Sequence, residues 1–142
     1  TFAAVLAVAV TYADFSLADC QRAAARSVHA EFEKYPHNIR FQGHWGFQYY
    51  MGSVGAEAID YRKTVPEPGD IIVIPSNNSN TMRLPDNIFH LLRKEQCYPC
   101  RWLTTMGFSS GAGFYTDMWG AMPFAFGVVK PEEYHIFVMS EP

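Results

Sequence analysis

The chain opens with thirteen residues that carry no charge, Thr1-Phe-Ala-Ala-Val-Leu-Ala-Val-Ala-Val-Thr-Tyr-Ala13, and its first ionisable side chain with a formal charge is Asp14. No other feature restricts the fold as much, because an apolar run must be covered by protein or by lipid. A helix that spans a bilayer needs roughly 20 apolar residues, and this run is shorter than that. A secretory leader would start with a positive region, which is missing here. Two readings fit. Residues 1–13 are the last half of a transmembrane helix that starts before Thr1, or they are a strand or helix buried in a soluble core. The first is the expectation, with residues 14–142 forming an extracytoplasmic domain.

The remaining length gives room for one core. Hydrophobic residues at 49% against 18% charged describe a folded rather than a disordered chain. A net charge of -3 with no basic run leaves nothing to hold a phosphate backbone, so nucleic acid is not an expected partner.

Residues 14–34 read as an amphipathic helix, with Leu17, Cys20, Ala24, Val28 and Phe32 on one stripe and Asp14 or Ser16 as its cap. Tyr35-Pro36-His37-Asn38 ends it, because the residue before proline avoids the helical region. A short strand at 39–41 leads through Gly43 into a second helix at 45–51, with Trp45 in the core as the simplest use of that turn. A strand at 56–59 and a polar linker over 60–69 follow. The clearest strand is Asp70-Ile-Ile-Val-Ile-Pro75: four β-branched residues between a Pro-Gly-Asp turn and a proline, the pattern of a strand covered on both faces. Residues 88–96 and 101–105 read as a hairpin turning at Tyr98-Pro99, residues 107–127 as a glycine- and aromatic-rich loop, and 134–139 as a closing strand. The expected fold is α/β: a mixed-sheet sandwich with an N-terminal helix, a Rossmann-like half, a β-hairpin and the closing strand.

Chemistry is sparse. Cys97-Tyr-Pro-Cys100 offers a local disulfide, a redox pair or half a zinc site. A redox pair belongs at a helix N-terminus, and this one lies in a turn. Zinc needs two more ligands, and Cys20 with His29, His37, His44, His90 and His135 shows no second paired spacing. A structural role is the expected use, with no metal, and in an oxidising compartment Cys97 and Cys100 could form a local disulfide. If the strands at 39–41 and 71–74 are parallel neighbours, the segments after them, Gln42–Gly46 and Ser76–Asn80, emerge at one sheet edge, where open α/β sheets bind ligands. His44, Asn77, Asn78 and Asn80 would then converge as hydrogen-bonding groups for a sugar or other polar ligand; a solvated loop is the plain alternative. Asn77-Asn78-Ser79 also matches a glycosylation sequon. Neither Ser109-Ser110-Gly111 nor the scattered carboxylates Asp60, Asp70, Asp86, Asp117, Glu132 and Glu133 form a catalytic constellation, and Asp70 fits the turn before its strand.

Several segments taken in order carry a resemblance: Gly43-His-Trp-Gly-Phe-Gln-Tyr-Tyr-Met51, Pro68-Gly-Asp-Ile-Ile-Val-Ile-Pro75, Gly113-Phe-Tyr115, Trp119-Gly120, Pro123-Phe124 and Tyr134 to Val138. Together they resemble the C-terminal soluble part of bacterial membrane glycosyltransferases of the dolichyl-phosphate-mannose protein mannosyltransferase type, the family 39-like or GT-C proteins. The resemblance covers most of residues 13–139. It implies an accessory domain that follows many transmembrane helices, in an enzyme moving a sugar from a polyprenyl-phosphate donor to a protein or lipid. The catalytic acids of such enzymes lie in an early extracytoplasmic loop, so no catalytic residue and no cofactor are expected here. The expected partners are the transmembrane domain of the same protein and a lipid-linked sugar or its acceptor. An exposed aromatic surface within 108–126 is expected on this reading, and full burial of Phe108, Phe114, Tyr115, Trp119 and Phe124 would exclude it. The alternative is a soluble α/β module that binds a small polar ligand at the edge holding His44 and Ser76–Asn80.

Overall fold

The computed structural model describes residues 1–35, 38–60 and 62–141. Its elements are α1 (Phe2–Phe32), β1 (Ile39–Phe41), α2 (Trp45–Ser53), β2 (Glu57–Ala58), β3 (Ile71–Pro75), β4 (Phe89–Cys97), β5 (Leu103–Thr104), β6 (Met106–Gly107), β7 (Ala112–Gly113), β8 (Ala125–Phe126) and β9 (Glu132–Met139). Short 3-10 turns lie at Phe108–Ser110 and Asp117–Trp119. The chain is α/β, with an N-terminal helix, a mixed five-stranded sheet and two small two-stranded sheets. It divides into one unit made of Thr1–Cys20 and Cys97–Glu132, and a second made of Gln21–Gln96 and Glu133–Pro142.

The N-terminal helix is one element, not two. The apolar run continues into the amphipathic stretch without a break, so neither Asp14 nor Ser16 caps a helix start. Alanine, leucine and the long side chains of this segment hold helical geometry at little cost, and nothing between Phe2 and Phe32 is glycine or proline. Leu17, Cys20, Ala24, Val28 and Phe32 are all buried, as their spacing predicts. The helix ends at Phe32; of the turn expected after it, Pro36 and His37 lie outside the described residues. So does Tyr61 of the 60–69 linker.

The second unit is built on the sheet, in the order β2-β1-β3-β9-β4. β1 runs parallel to both β2 and β3, while β3 and β9 are antiparallel, with Val73 opposite Ile136. Ile71, Ile72 and Val73 are buried in succession, so β3 is covered on both faces. β9 buries alternate residues, Glu132, Tyr134 and Ile136, as a strand with one covered face does. α2 closes the core through Phe47, whose ring lies 5.9 Å from Phe41 and stacks on Tyr134 at 5.6 Å. Phe47 and Met51 fill the core here; Trp45, expected to do so, is only part-buried. β4 forms an edge, guarded by charges that also reach α1: Arg93 pairs with Glu31 at 2.5 Å, and Ser27 donates to Glu95 at 2.7 Å.

The first unit holds the other small strands. The strand expected at 101–105 forms as β5, but its partner is β8 and not the 88–96 arm, which joins β9 in the large sheet. Two residues carry too little pattern to announce a partner. Part of the segment expected to be a loop, 107–127, forms the pair β6–β7 and the two 3-10 turns. Leu103 and Cys100 are buried against Ala13, with Ala9, Val10 and Phe124 packed around them. The disulfide joins Cys97 to Cys20, not to Cys100, whose thiol is free and buried. The extended course of β4 delivers Cys97 to the buried stripe of α1, with the two Cα atoms 5.5 Å apart. Cys100, beyond the end of the strand, is turned into the cluster around Leu103.

Candidate functional site

Two regions bear on function, one in each unit. In the second unit, β1 and β3 are parallel neighbours, so the segments that follow them leave the sheet at the same edge. The first backbone step past β1 extends the ladder, Gln42 N–H donating to the Val73 carbonyl at 3.1 Å. Gly43 then turns with φ at 112°, where a Cβ would press on Pro75 and the Asn78 side chain at 3.0–3.1 Å. His44 follows, extended, just before α2.

The loop after β3 is stitched to this turn by side-chain amides. The Asn78 Oδ1 accepts from the His44 N–H at 2.7 Å and its Nδ2 donates to the His44 carbonyl at 3.2 Å. Gln42 Oε1 accepts from the Met82 N–H at 2.6 Å. Both amides are buried. Of the four residues expected to converge, His44 and Asn78 do meet, but through the main chain of His44 and not around a ligand. The His44 ring is directed elsewhere, to Gln48 Oε1 at 3.1 Å. Asn77 is part-buried, while Asn80 is exposed at the loop's far end with φ at 56°. A cleft of about 280 Å³ opens along the same loop, lined by residues that include Ser76, Thr81, Arg83, Asp86 and His135; none of the four candidate residues lines it. The Nε2 of Gln42 is buried without a hydrogen-bond partner among the described residues.

The strongest electrostatic feature lies before the strands, where no ligand was expected. The Asp70 carboxylate accepts from Arg40 Nε at 2.7 Å, Glu67 N–H at 3.0 Å, and both the Asn38 N–H and Nδ2 at 3.2 Å. Arg40 also reaches Glu57 at 2.7 Å, across the β1–β2 register that pairs these two residues. Burial alone would raise the Asp70 carboxyl; the bonds from Glu67, Arg40 and Asn38 overcome it and hold the group below its usual range. All of its acceptor capacity is spent on the fold, so Asp70 anchors the turn, and Arg40 is the partner that sequence reading missed. A lone arginine between Ile39 and Phe41 was the available signal.

In the first unit the notable surface is apolar. α1 is long and apolar enough to cross a membrane, by length and composition. Phe2, Val5, Val8, Tyr12 and Phe15 recur at helical spacing and are exposed, Phe2 by 82%. Val8, Tyr12 and Phe15 line a shallow apolar groove with Ala7 and Thr11. In the loop region Phe108, Phe114 and Tyr115 are exposed, and Trp119 and Phe124 are part-buried. Asp14 is held from two sides, accepting from Thr105 Oγ1 at 2.9 Å and Tyr115 Oη at 2.7 Å. Burial, with this bond and the nearby negative charge of Asp14, pushes the Tyr115 phenol up to about 12.

No three histidine, cysteine or acidic side chains gather as a metal site among the described residues. Compared with known protein families, curated proteins and solved structures, the chain has no significant match in any of the three.

Proposed function

We propose that this chain is the extracytoplasmic accessory domain of an integral-membrane glycosyltransferase, non-catalytic alone, working beside a membrane domain that moves a sugar from a polyprenyl-phosphate donor. The observation that carries its membrane part is the exposed apolar start of α1. Ala13, Leu17 and Cys20 are packed into the protein, whereas Phe2, Val5, Val8, Tyr12 and Phe15 stay exposed. A soluble domain rarely leaves such a stripe in water. A Cys20–Cys97 disulfide belongs with an oxidising compartment, which supports the extracytoplasmic side. The exposed rings of Phe108, Phe114 and Tyr115 support contact with a membrane domain or with lipid. The sugar-transfer assignment rests on the sequence resemblance.

The test uses membranes holding the product of the complete gene. They are assayed for transfer from a radiolabelled polyprenyl-phosphate sugar, with and without residues 14–142, beside this chain alone. The expected result is transfer by the complete product, reduced transfer by the deletion, and none by the chain alone. No transfer by the complete product, or unchanged transfer after the deletion, overturns the reading.

A second reading, a soluble module for a small polar ligand, is favoured by one observation, the unpartnered Nε2 of buried Gln42 beside the edge that holds Asn78. Titration calorimetry against a panel of monosaccharides tests it. Binding that Gln42→Leu abolishes would support it, and no heat with any sugar would remove it.

A further inference from the structure

We propose that the two-stranded ribbon of β5 and β8, with its flanks, is a bilayer-interface anchor that seats its rings among lipid headgroups and its cations on acidic phosphates. The inference rests on the membrane-held reading above and gives it a partner and a depth.

The middle of the ribbon is covered and its rim is not. Leu103 and Thr104 are both buried, Leu103 with Phe124 nearby against Ala9, Val10 and Ala13 of α1. Around them Trp102, Phe126, Tyr98 and, 96% exposed, Val128 stand in solvent. Trp102 stacks on Phe126 at 6.1 Å, and the Arg101 guanidinium lies 5.0 Å over the Tyr98 ring. Backbone bonds from Gly127 N–H to the Trp102 carbonyl and from Val129 N–H to the Arg101 carbonyl, each 3.0 Å, bring the two flanks together. Arg101 and Lys130 are therefore borne by the same ribbon, and both are exposed. From Cys97 to Pro131 the sequence holds a single acid, Asp117.

Position selects lipid over other apolar partners. The ribbon packs on α1 at residues 9–13, the last turn before the helix's first charge. Asp14 is then bonded by Thr105 and Tyr115 of the same unit. If residues 2–12 lie in hydrocarbon, the water boundary falls near Asp14, level with the ribbon. Residues 2–13 reach about 18 Å along the axis, well into the hydrocarbon from that boundary. Tryptophan and tyrosine favour that boundary because each has an apolar body and a polar tip. Arginine and lysine beside them reach phosphate while their stems stay on apolar surface.

The experiment reconstitutes the full chain into vesicles of phosphatidylcholine, alone or mixed with phosphatidylglycerol. Trp45→Phe and Trp119→Phe leave Trp102 as the single tryptophan. Its fluorescence is read against lipids brominated near the headgroup or deep in the acyl chain. Trp102 should be quenched most by the shallow bromines, and more in the acidic vesicles. Arg101→Gln with Lys130→Gln should remove an acidic-vesicle preference of up to about thirtyfold. Val128→Asp changes a side chain clear of the protein, so its circular dichroism should be unchanged while shallow quenching falls. A chain that floats with the vesicles while Trp102 stays unquenched overturns the inference and spares the membrane-held reading, pointing to a protein partner for the ribbon. A chain that does not float overturns both.

Discussion

Asn78 holds His44 by both polar groups of its main chain, accepting from the amide at 2.7 Å and donating to the carbonyl at 3.2 Å. An asparagine side chain has one acceptor and one donor end, and here both are used within the fold. Asn78→Ala would leave the part-buried His44 amide without this acceptor, while the His44 carbonyl keeps the Gln48 N–H at 3.4 Å. The substitution should lower unfolding free energy by about 1–3 kcal/mol. Asn78→Asp, which keeps the acceptor and loses the donor, should cost less in a urea titration at neutral pH.

The covalent prediction concerns Cys20 and Cys97. Peptide mapping without reduction should recover these two residues in one linked fragment, and alkylation in denaturant should label Cys100 alone. Cys100 should resist labelling in the native protein, because the thiol is buried. Reduction should destabilise the fold by about 2–4 kcal/mol. A linked Cys97–Cys100 peptide would contradict the pairing.

Acid sensitivity follows from Asp70. Its carboxyl is held below the ordinary value in the folded chain, so its contribution is complete above about pH 4 and is lost as pH falls through the folded value. Thermal melts between pH 7 and pH 2 should show this loss. Asp70→Asn should flatten it and cost about 3 kcal/mol at neutral pH, since Arg40 would be left without its best partner.

At the alkaline end the sign reverses. The Tyr115 phenol is raised to about 12, so the neutral form is favoured by the fold. Its contribution is complete below about pH 10, where an unfolded tyrosine starts to ionise, and is lost as pH climbs to about 12. Ultraviolet titration should show one late-ionising tyrosine that vanishes in Tyr115→Phe and moves earlier in Asp14→Asn.

Gly120 lies so close to Gly111 that an added Cβ would overlap the Gly111 carbonyl, and its φ of 148° is one that side chains rarely adopt. Gly120→Ala should therefore open the 111–120 loop. Limited proteolysis should cut there at least about tenfold faster, while Gly55→Ala, where a Cβ meets open space, should lose only what its own φ of 84° costs.

The fold was legible where a pattern is local. Four β-branched residues announced β3, and the stripe from Leu17 to Phe32 announced the buried side of α1, because each element's own period records what it faces. The parallel placement of β1 beside β3 could be posed from the order of elements. Pairings across long separations were not legible. Cys20 and Cys97 are 77 residues apart, and no spacing rule connects them. β5 and β8 are two residues each, too short to carry a period. At the candidate edge the residue types were read correctly as hydrogen-bonding groups, but composition does not say whether an asparagine turns outward to a ligand or inward to a neighbour's backbone. Asn78 turns inward.

The sheet order gives β9 a role in synthesis. Of the strands in this sheet it is the last in sequence, yet it lies between β3 and β4. Until residues 132–139 emerge, β3 and β4 have no strand between them and each presents a bare edge. The nascent chain must therefore wait, with Ile71 to Ile74 awaiting a partner, and a product released early would offer two adhesive strands to its neighbours.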